Sequence, residues 1–180
     1  MRRACPRGRR FRPPGQRWLP LGVMAVITAC GGGAPRLRVE AGAAGAPVFM
    51  LSAASKRSAP FPLATLQVHS CRSLVAARPT SWIPPREQAA WYVDWWPRGS
   101  DHPAPAVERV VYGEIPRGMT EDRPAAPLDA EGCYVVQAVS ATGAGGSQGV
   151  RAGFRIADGA VLPLAPAEID SLVRGPRTGG

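Results

Sequence analysis

The sequence predicts an all-β fold, an antiparallel β-sandwich of about seven or eight strands followed by a short helix. Short β-like runs recur along the chain from Pro35 onward, and clusters rich in Gly, Pro and Ala separate them. Helical periodicity is almost missing between these runs, which argues against a parallel sheet with crossover helices. A chain of 180 residues has room for one such domain with tails.

Eight runs have the composition of strands, and turn signals lie between them. In chain order they are RLRVEA, PVFML, ATLQVHS, AAWYVDWW, ERVVYGEI, CYVVQAV, VRAGFRIA and AVLPL. In ATLQVHS the apolar Leu66 and Val68 alternate with polar neighbours, which is typical of a strand with one buried face. Asp158-Gly159, between the last two runs, predicts a tight β-hairpin.

One stretch favours a helix, Pro166 to Val173, with the sequence PAEIDSLV. A proline and then an acidic residue begin it, as is common in the first turn of a helix. The apolar residues Ile169, Leu172 and Val173 recur at helical spacing. We therefore expect a short helix there, followed by a loose tail to residue 180.

Residues 1–29 have the three parts of a secretory signal peptide. Seven arginines and no acid precede the apolar stretch WLPLGVMAVITA, and small residues follow it. That stretch is too short to span a bilayer as a stable helix. The alternative is a buried helix of a cytosolic domain, which Pro13, Pro14 and Pro20 fit poorly.

The leader also accounts for most of the positive charge of the chain. The formal net charge is +9, but seven of the 22 basic residues lie in the leader, and the remaining 15 stand against 13 acidic residues. The rest of the chain is thus close to neutral, and no basic stripe remains to neutralise nucleic-acid phosphates. We expect no nucleic-acid partner, and no motif in the sequence calls for a cofactor.

The segment ITAC, Ile27 to Cys30, resembles the lipobox of bacterial lipoproteins, with isoleucine where leucine is commoner. The resemblance implies that the Cys30 thiol receives a diacylglyceryl group and that the leader is cut just before it. The new amino group then receives a fatty acid such as palmitate, and two or three acyl chains anchor a protein durably. Lipoproteins that are retained in the inner membrane carry aspartate after the lipidated cysteine. Gly31 stands at that position here and therefore implies placement in the outer membrane. The glycines after Cys30 suit a flexible tether.

The passage from Val110 to Val136 resembles the tyrosine corner of fibronectin type III and immunoglobulin-like sandwiches. Leu128 is followed six residues later by Tyr134, as in the pattern Leu-x-Pro-x-Thr-x-Tyr. Ala130 stands where that pattern has proline, and Gly132 where it has threonine. The resemblance implies that the Tyr134 hydroxyl bonds back to the backbone and that the fold is an Ig-like sandwich. Such folds serve many functions, so it implies no activity.

Cys71 and Cys133 are an even pair in a chain expected to enter an oxidising compartment, so we expect a disulfide between them. It would join two strands much as an immunoglobulin disulfide joins two sheets. The alternative is a thiol-dependent enzyme, because His69 and Cys71 are two residues apart and thus on one face of a strand. A metal site could begin the same way, but the sequence offers no second pair of ligands and we predict no metal.

The tryptophans are concentrated, with four of the five between residues 82 and 96. As a strand, WYVDWW sends alternate residues to opposite faces: Trp91, Val93 and Trp95 to one, and Tyr92, Asp94 and Trp96 to the other. One aromatic face suffices for a sandwich core. The other face is then either covered by neighbouring loops or exposed as a contact surface for a glycan, a peptide or a partner protein.

The adjacent acids Glu121 and Asp122 invite comparison with the paired carboxylates of glycosidases, which need a defined cleft. They lie among prolines and glycines, so we expect them in a loop as solvated residues. No catalytic residues are predicted.

Together these features predict a lipid-anchored, non-catalytic protein of the bacterial cell envelope that has a binding or structural role. Its domains would be a signal peptide over 1–29, a tether over 30–36, a sandwich over 37–165 and a helix with tail over 166–180. Its partners would be the membrane, through Cys30, and an envelope protein or glycan. The alternatives are a carbohydrate- or peptidoglycan-binding module that uses Tyr92, Asp94 and Trp96, and an enzyme built on His69 and Cys71.

Overall fold

The computed structural model describes residues 34–53, 59–77, 84–95, 103–141 and 148–174. The predicted signal peptide over 1–29, the lipidation site Cys30, the aromatic residue Trp96 and the tail from residue 175 lie outside the described residues.

The described residues form two antiparallel sheets, which confirms the all-β sandwich prediction. The strands are β1 (Arg36–Ala41), β2 (Pro47–Ser52), β3 (Phe61–Ser70), β4 (Trp91–Asp94), β5 (Ala106–Val107), β6 (Arg109–Val111), β7 (Thr120–Arg123), β8 (Cys133–Ser140), β9 (Gln148–Ala157) and β10 (Ala160–Pro163). The small sheet has the order β1-β2-β6. The large sheet has the order β10-β9-β8-β3-β4-β7, and β5 also pairs with β3.

Each of the eight predicted runs contains a strand, and the described residues hold two more, β5 and β7. Both lack a hydrophobic pattern: β5 has only two residues, and β7 has the polar sequence TEDR. β7 is the last strand in the order of the large sheet, and charged residues are common on such edges because they discourage further pairing. A polar edge strand gives no alternation to detect in the sequence.

The core lies between the two sheets. Phe49 of the small sheet contacts Phe154 of the large sheet, with ring centroids 6.1 Å apart. The largest fully buried side chains are Trp91, Phe49, Phe61, Phe154, Leu63, Leu66, Val68, Val93 and Val136. They come from β2, β3, β4, β8 and β9. In β3 the alternation of buried positions changes between Leu63 and Leu66, where the pairing with β8 shifts register.

The predicted hairpin connects β9 and β10. The two strands pair antiparallel from Ala157 and Ala160 onward. Asp158 and Gly159 both have positive φ, 51° and 73°, as a two-residue turn of this kind requires. Asparagine, aspartate and glycine tolerate that conformation best, which is why the dipeptide predicts the turn.

Two helices, α1 (Cys71–Ala77) and α2 (Pro166–Arg174), lie against the outer face of the large sheet, where Leu74 and Ile169 pack with Val135. α2 begins where the sequence predicts, and the Glu168 carboxylate accepts a hydrogen bond from the Ala165 N–H at 2.9 Å. α1 was not predicted. Its signal is Ser70, whose hydroxyl oxygen accepts a hydrogen bond from the Ser73 N–H at 3.1 Å, as in a capped helix.

The helices described here are all too short or too polar to cross a bilayer.

The disulfide between Cys71 and Cys133 is present, with the two Cα atoms 5.3 Å apart, and the pairing prediction is confirmed. The expectation that it joins two sheets is wrong. Cys71 directly follows β3 and Cys133 begins β8, and these strands are neighbours in the large sheet, with Ser70 opposite Tyr134. The disulfide therefore extends the pairing of two adjacent strands by one position.

Candidate functional site

The residues of the tyrosine-corner pattern come together in the structure. The Tyr134 hydroxyl oxygen accepts a hydrogen bond from the backbone N–H of Asp129 at 2.7 Å, and burial raises the pKa of this tyrosine. Its ring stacks on Phe154 at a centroid distance of 5.3 Å. Leu128 is half-buried against the core. These contacts hold the turn that enters β8.

Tyr112, which was not among the residues predicted from the sequence, contacts the connection between β7 and β8 at a second point. The Tyr112 hydroxyl donates a hydrogen bond to the Ala126 carbonyl at 2.8 Å and lies 3.2 Å from the Ala90 carbonyl. Its ring meets Trp91 edge to face. Burial raises the pKa of Tyr112 strongly. A partly buried hydroxyl thus links the proline-rich passage between β7 and β8 to the residue just before β4.

The pair His69 and Cys71 does not form a thiol site. The sulfur of Cys71 is bonded to Cys133, so it is no free nucleophile. The two residues do not share a strand face either, since β3 ends at Ser70 and Cys71 begins α1. Among the described residues, no group of three or more His, Cys, Asp or Glu is arranged to hold a metal ion.

His69 is instead a buried residue of the large sheet, 2% exposed. Its Nε2 lies 3.3 Å from Oε1 of Gln67, and its Nδ1 has no hydrogen-bond partner among the described residues. Burial lowers the pKa of His69 to about 4, the Gln88 carbonyl opposes that shift, and the positive charge of Arg123 adds to it. The imidazole is therefore neutral at pH 7.

The aromatic strand β4 alternates as predicted from Trp91 to Asp94, but Trp95, which was predicted on the buried face, lies beyond the strand and is partly exposed. Trp91 and Val93 are fully buried in the core, whereas Tyr92 and Asp94 lie on the outer face and are partly exposed. The strand ends at Asp94, and Trp95 follows it with its backbone N–H bonded to the Ala64 carbonyl. Tyr92 is therefore the aromatic residue that β4 presents outside the core.

Tyr92 lines a cleft of about 400 Å³ on the outer face of the large sheet. The other lining residues are Arg86, Glu87, Asp122 and Arg123. Arg86 comes from a 3₁₀ turn (Arg86–Gln88) before β4, and Asp122 and Arg123 come from β7, which pairs with β4. The cleft is thus built by three elements, the 3₁₀ turn, β4 and β7, and the pairing of β4 with β7 holds its two sides together.

The charges in the cleft are partly paired. Arg86 Nη1 lies 3.1 Å from Asp122 Oδ2, and Arg86 Nε lies 3.3 Å from Glu87 Oε1. Within the described part of the chain, Arg123 is in no ion pair. Burial raises the pKa of Tyr92, and the negative charge of Asp94 raises it further, so the phenol stays protonated at neutral pH.

The expectation of a loop at Glu121 and Asp122 is wrong, because both lie in β7. Their side chains serve different contacts: Glu121 accepts a hydrogen bond from Nε1 of the buried Trp91 at 2.8 Å, and Asp122 pairs with Arg86 in the cleft. The two acids therefore do not form a carboxylate pair. Arg86 and Arg123 were not predicted from the sequence. Arg123 lies beside Tyr92 because β7 pairs with β4, and Arg86 because of the 3₁₀ turn that precedes β4.

The cleft is suited to binding. A ring face, guanidinium groups and carboxylates around a volume of about 400 Å³ offer stacking, donors and acceptors to a small polar ligand. Comparison of the chain with protein-family profiles, with curated proteins and with solved structures gave no significant match in any of the three.

Proposed function

We propose that this protein is a lipid-anchored protein of the bacterial envelope whose β-sandwich has a non-catalytic binding or structural role. Cys30 would carry the anchor, and the sandwich would face the periplasm from the outer membrane. The observation that carries the proposal is the Cys71–Cys133 disulfide in a chain whose leader ends in ITAC. Disulfides form and persist in oxidising compartments, which agrees with export.

The strand order supports the resemblance to immunoglobulin and fibronectin type III domains. If β1, β2, β3, β6, β8 and β9 are lettered A, B, C, E, F and G, the small sheet reads A-B-E and the centre of the large sheet reads G-F-C. Immunoglobulin-like sandwiches divide their strands in the same way. These folds commonly serve as binding or spacing modules, and the consumed Cys71 thiol leaves the enzyme alternative without its nucleophile.

The decisive experiment is an intact mass of the protein purified from host membranes, with and without reductant. We expect the mass of residues 30–180 plus acyl chains, rising by two hydrogens on reduction. A Cys30→Ser variant should lose the acyl mass and leave the membrane fraction. An unacylated wild-type chain that still begins at Met1 would refute the anchor.

The cleft favours a second, more specific candidate function: binding of a carbohydrate or peptidoglycan fragment. Tyr92 presents a partly exposed ring beside two arginines, and Asp94 lies on the same face of β4. Sugars stack on aromatic rings, and the carboxylates of peptidoglycan would pair with the guanidinium of Arg123.

Co-sedimentation with purified peptidoglycan sacculi tests this candidate. Tyr92→Ala and Arg123→Ala should each lose most of the retained protein, with little change in melting temperature. Arg117→Ala is the matched control, because Arg117 is also an exposed arginine and lies in the turn before β7; it should bind as the wild type does. Equal retention by Arg123→Ala and Arg117→Ala would rule out the cleft as the binding site.

A further inference from the structure

The outer face of the small sheet carries three arginines around one methionine. Arg36 and Arg38 are outward residues of β1, and Arg109 is an outward residue of β6. Arg38 pairs with Met50 of β2, and Met50 pairs in turn with Arg109, so these three form one row across the sheet. We call Arg36, Arg38, Met50 and Arg109 the arginine face.

The three guanidinium groups of the arginine face are exposed. None is in an ion pair within the described residues, where the salt bridges involve Arg86, Arg155 and Arg174 instead. Glu40 is the acid that shares this side of β1, so the face keeps a net positive charge. The inward residues of the same strand, Leu37 and Val39, are buried in the core and hold the strand in place.

The position of this face along the chain suggests its partner. Arg36 follows Cys30 by six residues, which span at most about 20 Å even when fully extended. If acyl chains on Cys30 sit in a bilayer, β1 must therefore remain within that distance of the headgroups. At physiological ionic strength, charges interact over about 8 Å, so a small reorientation of the domain brings the arginines into contact with the surface.

We propose that the arginine face docks on anionic phospholipid headgroups and orients the domain on the membrane. The inference rests on the proposed anchor at Cys30. Each arginine near an anionic surface favours contact about fivefold, so three of them suffice to select one orientation of a tethered domain. The cleft at Tyr92 lies on the outer face of the other sheet and would then point away from the bilayer, open to a periplasmic ligand.

The test uses the acylated protein in vesicles of pure phosphatidylcholine and in vesicles that contain one quarter phosphatidylglycerol. An arginine-selective dicarbonyl reagent, read residue by residue by mass spectrometry, reports accessibility. On the anionic vesicles we expect Arg36, Arg38 and Arg109 to react at about one fifth, or less, of their rate on pure phosphatidylcholine vesicles. Arg72 of α1 and Arg155 of β9, which belong to the opposite side of the sandwich, should react equally on both. Salt at about 1 M should abolish the difference, because it shortens the screening length to about 3 Å.

A pair of double variants with the same change of charge sharpens the result. R38Q/R109Q should lose the protection of Arg36, and R72Q/R155Q should keep it. Equal reaction rates on both vesicles, with an acylated mass for the same preparation, would overturn the docking alone. An unacylated mass would overturn the anchor and the docking together, so the two failures are distinguishable.

Discussion

Tyr134 and Asp129 are joined by a hydrogen bond of 2.7 Å from the backbone N–H of Asp129 to the phenol oxygen. This bond ties the start of β8, in the middle of the large sheet, to the connection that arrives from β7 at its edge. The buried ring stacks on Phe154, so the hydroxyl has little freedom to choose another partner. The contact therefore determines where the chain enters the central strand.

Tyr134→Phe should lower the free energy of unfolding by about 1 kcal/mol, since it removes one hydrogen bond and leaves the Asp129 N–H to water or to no partner. Urea denaturation of both proteins at pH 7 measures the difference. The slope of the transition should stay the same, because the ring and its packing are kept. A variant as stable as the wild type would show that the hydroxyl does not hold the connection.

Gly132→Ala should be destabilising by about 1–3 kcal/mol, the usual cost of forcing atoms into a packed site. A Cβ at position 132 would lie 2.6 Å from the Tyr134 hydroxyl oxygen and 2.8 Å from Cζ. This crowding explains why glycine stands where the corner pattern has threonine. Gly149→Ala is the control, because its Cβ would find its nearest contact at 3.5 Å. Equal melting temperatures for the two variants would contradict the account.

Removal of the disulfide should cost about 4 kcal/mol, because the cross-link closes a long loop and so restricts the unfolded chain. The two cysteines are 62 residues apart. Guanidinium unfolding of the mature protein with and without reductant measures this difference in the free energy of unfolding. The double variant Cys71→Ala/Cys133→Ala should have the same free energy of unfolding as the reduced wild type. A double variant that is insensitive to reductant but as stable as the oxidised wild type would contradict the prediction.

His69 should make the protein less stable in acid. Its pKa in the folded state is about 4, against about 6.5 in the unfolded chain, so the unfolded state binds the proton first. Stability is therefore full above about pH 6.5 and falls as the pH drops towards 4, by up to about 3 kcal/mol. Unfolding free energies at pH 7, 6, 5 and 4 should fall more steeply for the wild type than for His69→Gln. Parallel curves would show that the imidazole does not carry the effect.

Strands with one buried face could be predicted because their sequence records which residues meet the core. β4 is the clearest case: Trp91 and Val93 are buried and Tyr92 is partly exposed, as the alternation requires. β7 could not be predicted, since its residues are polar and it is a strand only because β4 offers a partner. The helix α1 has a local signal, the cap at Ser70, but its sequence continues a run that also suits a strand.

The candidate site was only partly predictable for the same reason. Tyr92 and Asp94 were found from β4 alone, but Asp122 and Arg123 join Tyr92 through the pairing of β4 with β7, two segments about 30 residues apart in the chain. Arg86 comes from the 3₁₀ turn just before β4, and its ion pair with Asp122 depends on the same pairing. The acids at 121 and 122 look alike in the sequence. The structure separates them, because successive residues of a strand point to opposite faces.

The sequence by itself determined the all-β class, the hairpin at Asp158-Gly159 and the helix at Pro166, because each depends on local propensity. It also determined the pairing of Cys71 with Cys133, because few cysteine pairs are possible. Tertiary structure alone decided which strands are neighbours. It placed the disulfide within one sheet, buried His69, assembled the cleft around Tyr92 and aligned Arg38 with Arg109 across Met50. Strand order depends on how the apolar faces of distant segments pack together, and no short stretch of sequence contains that information.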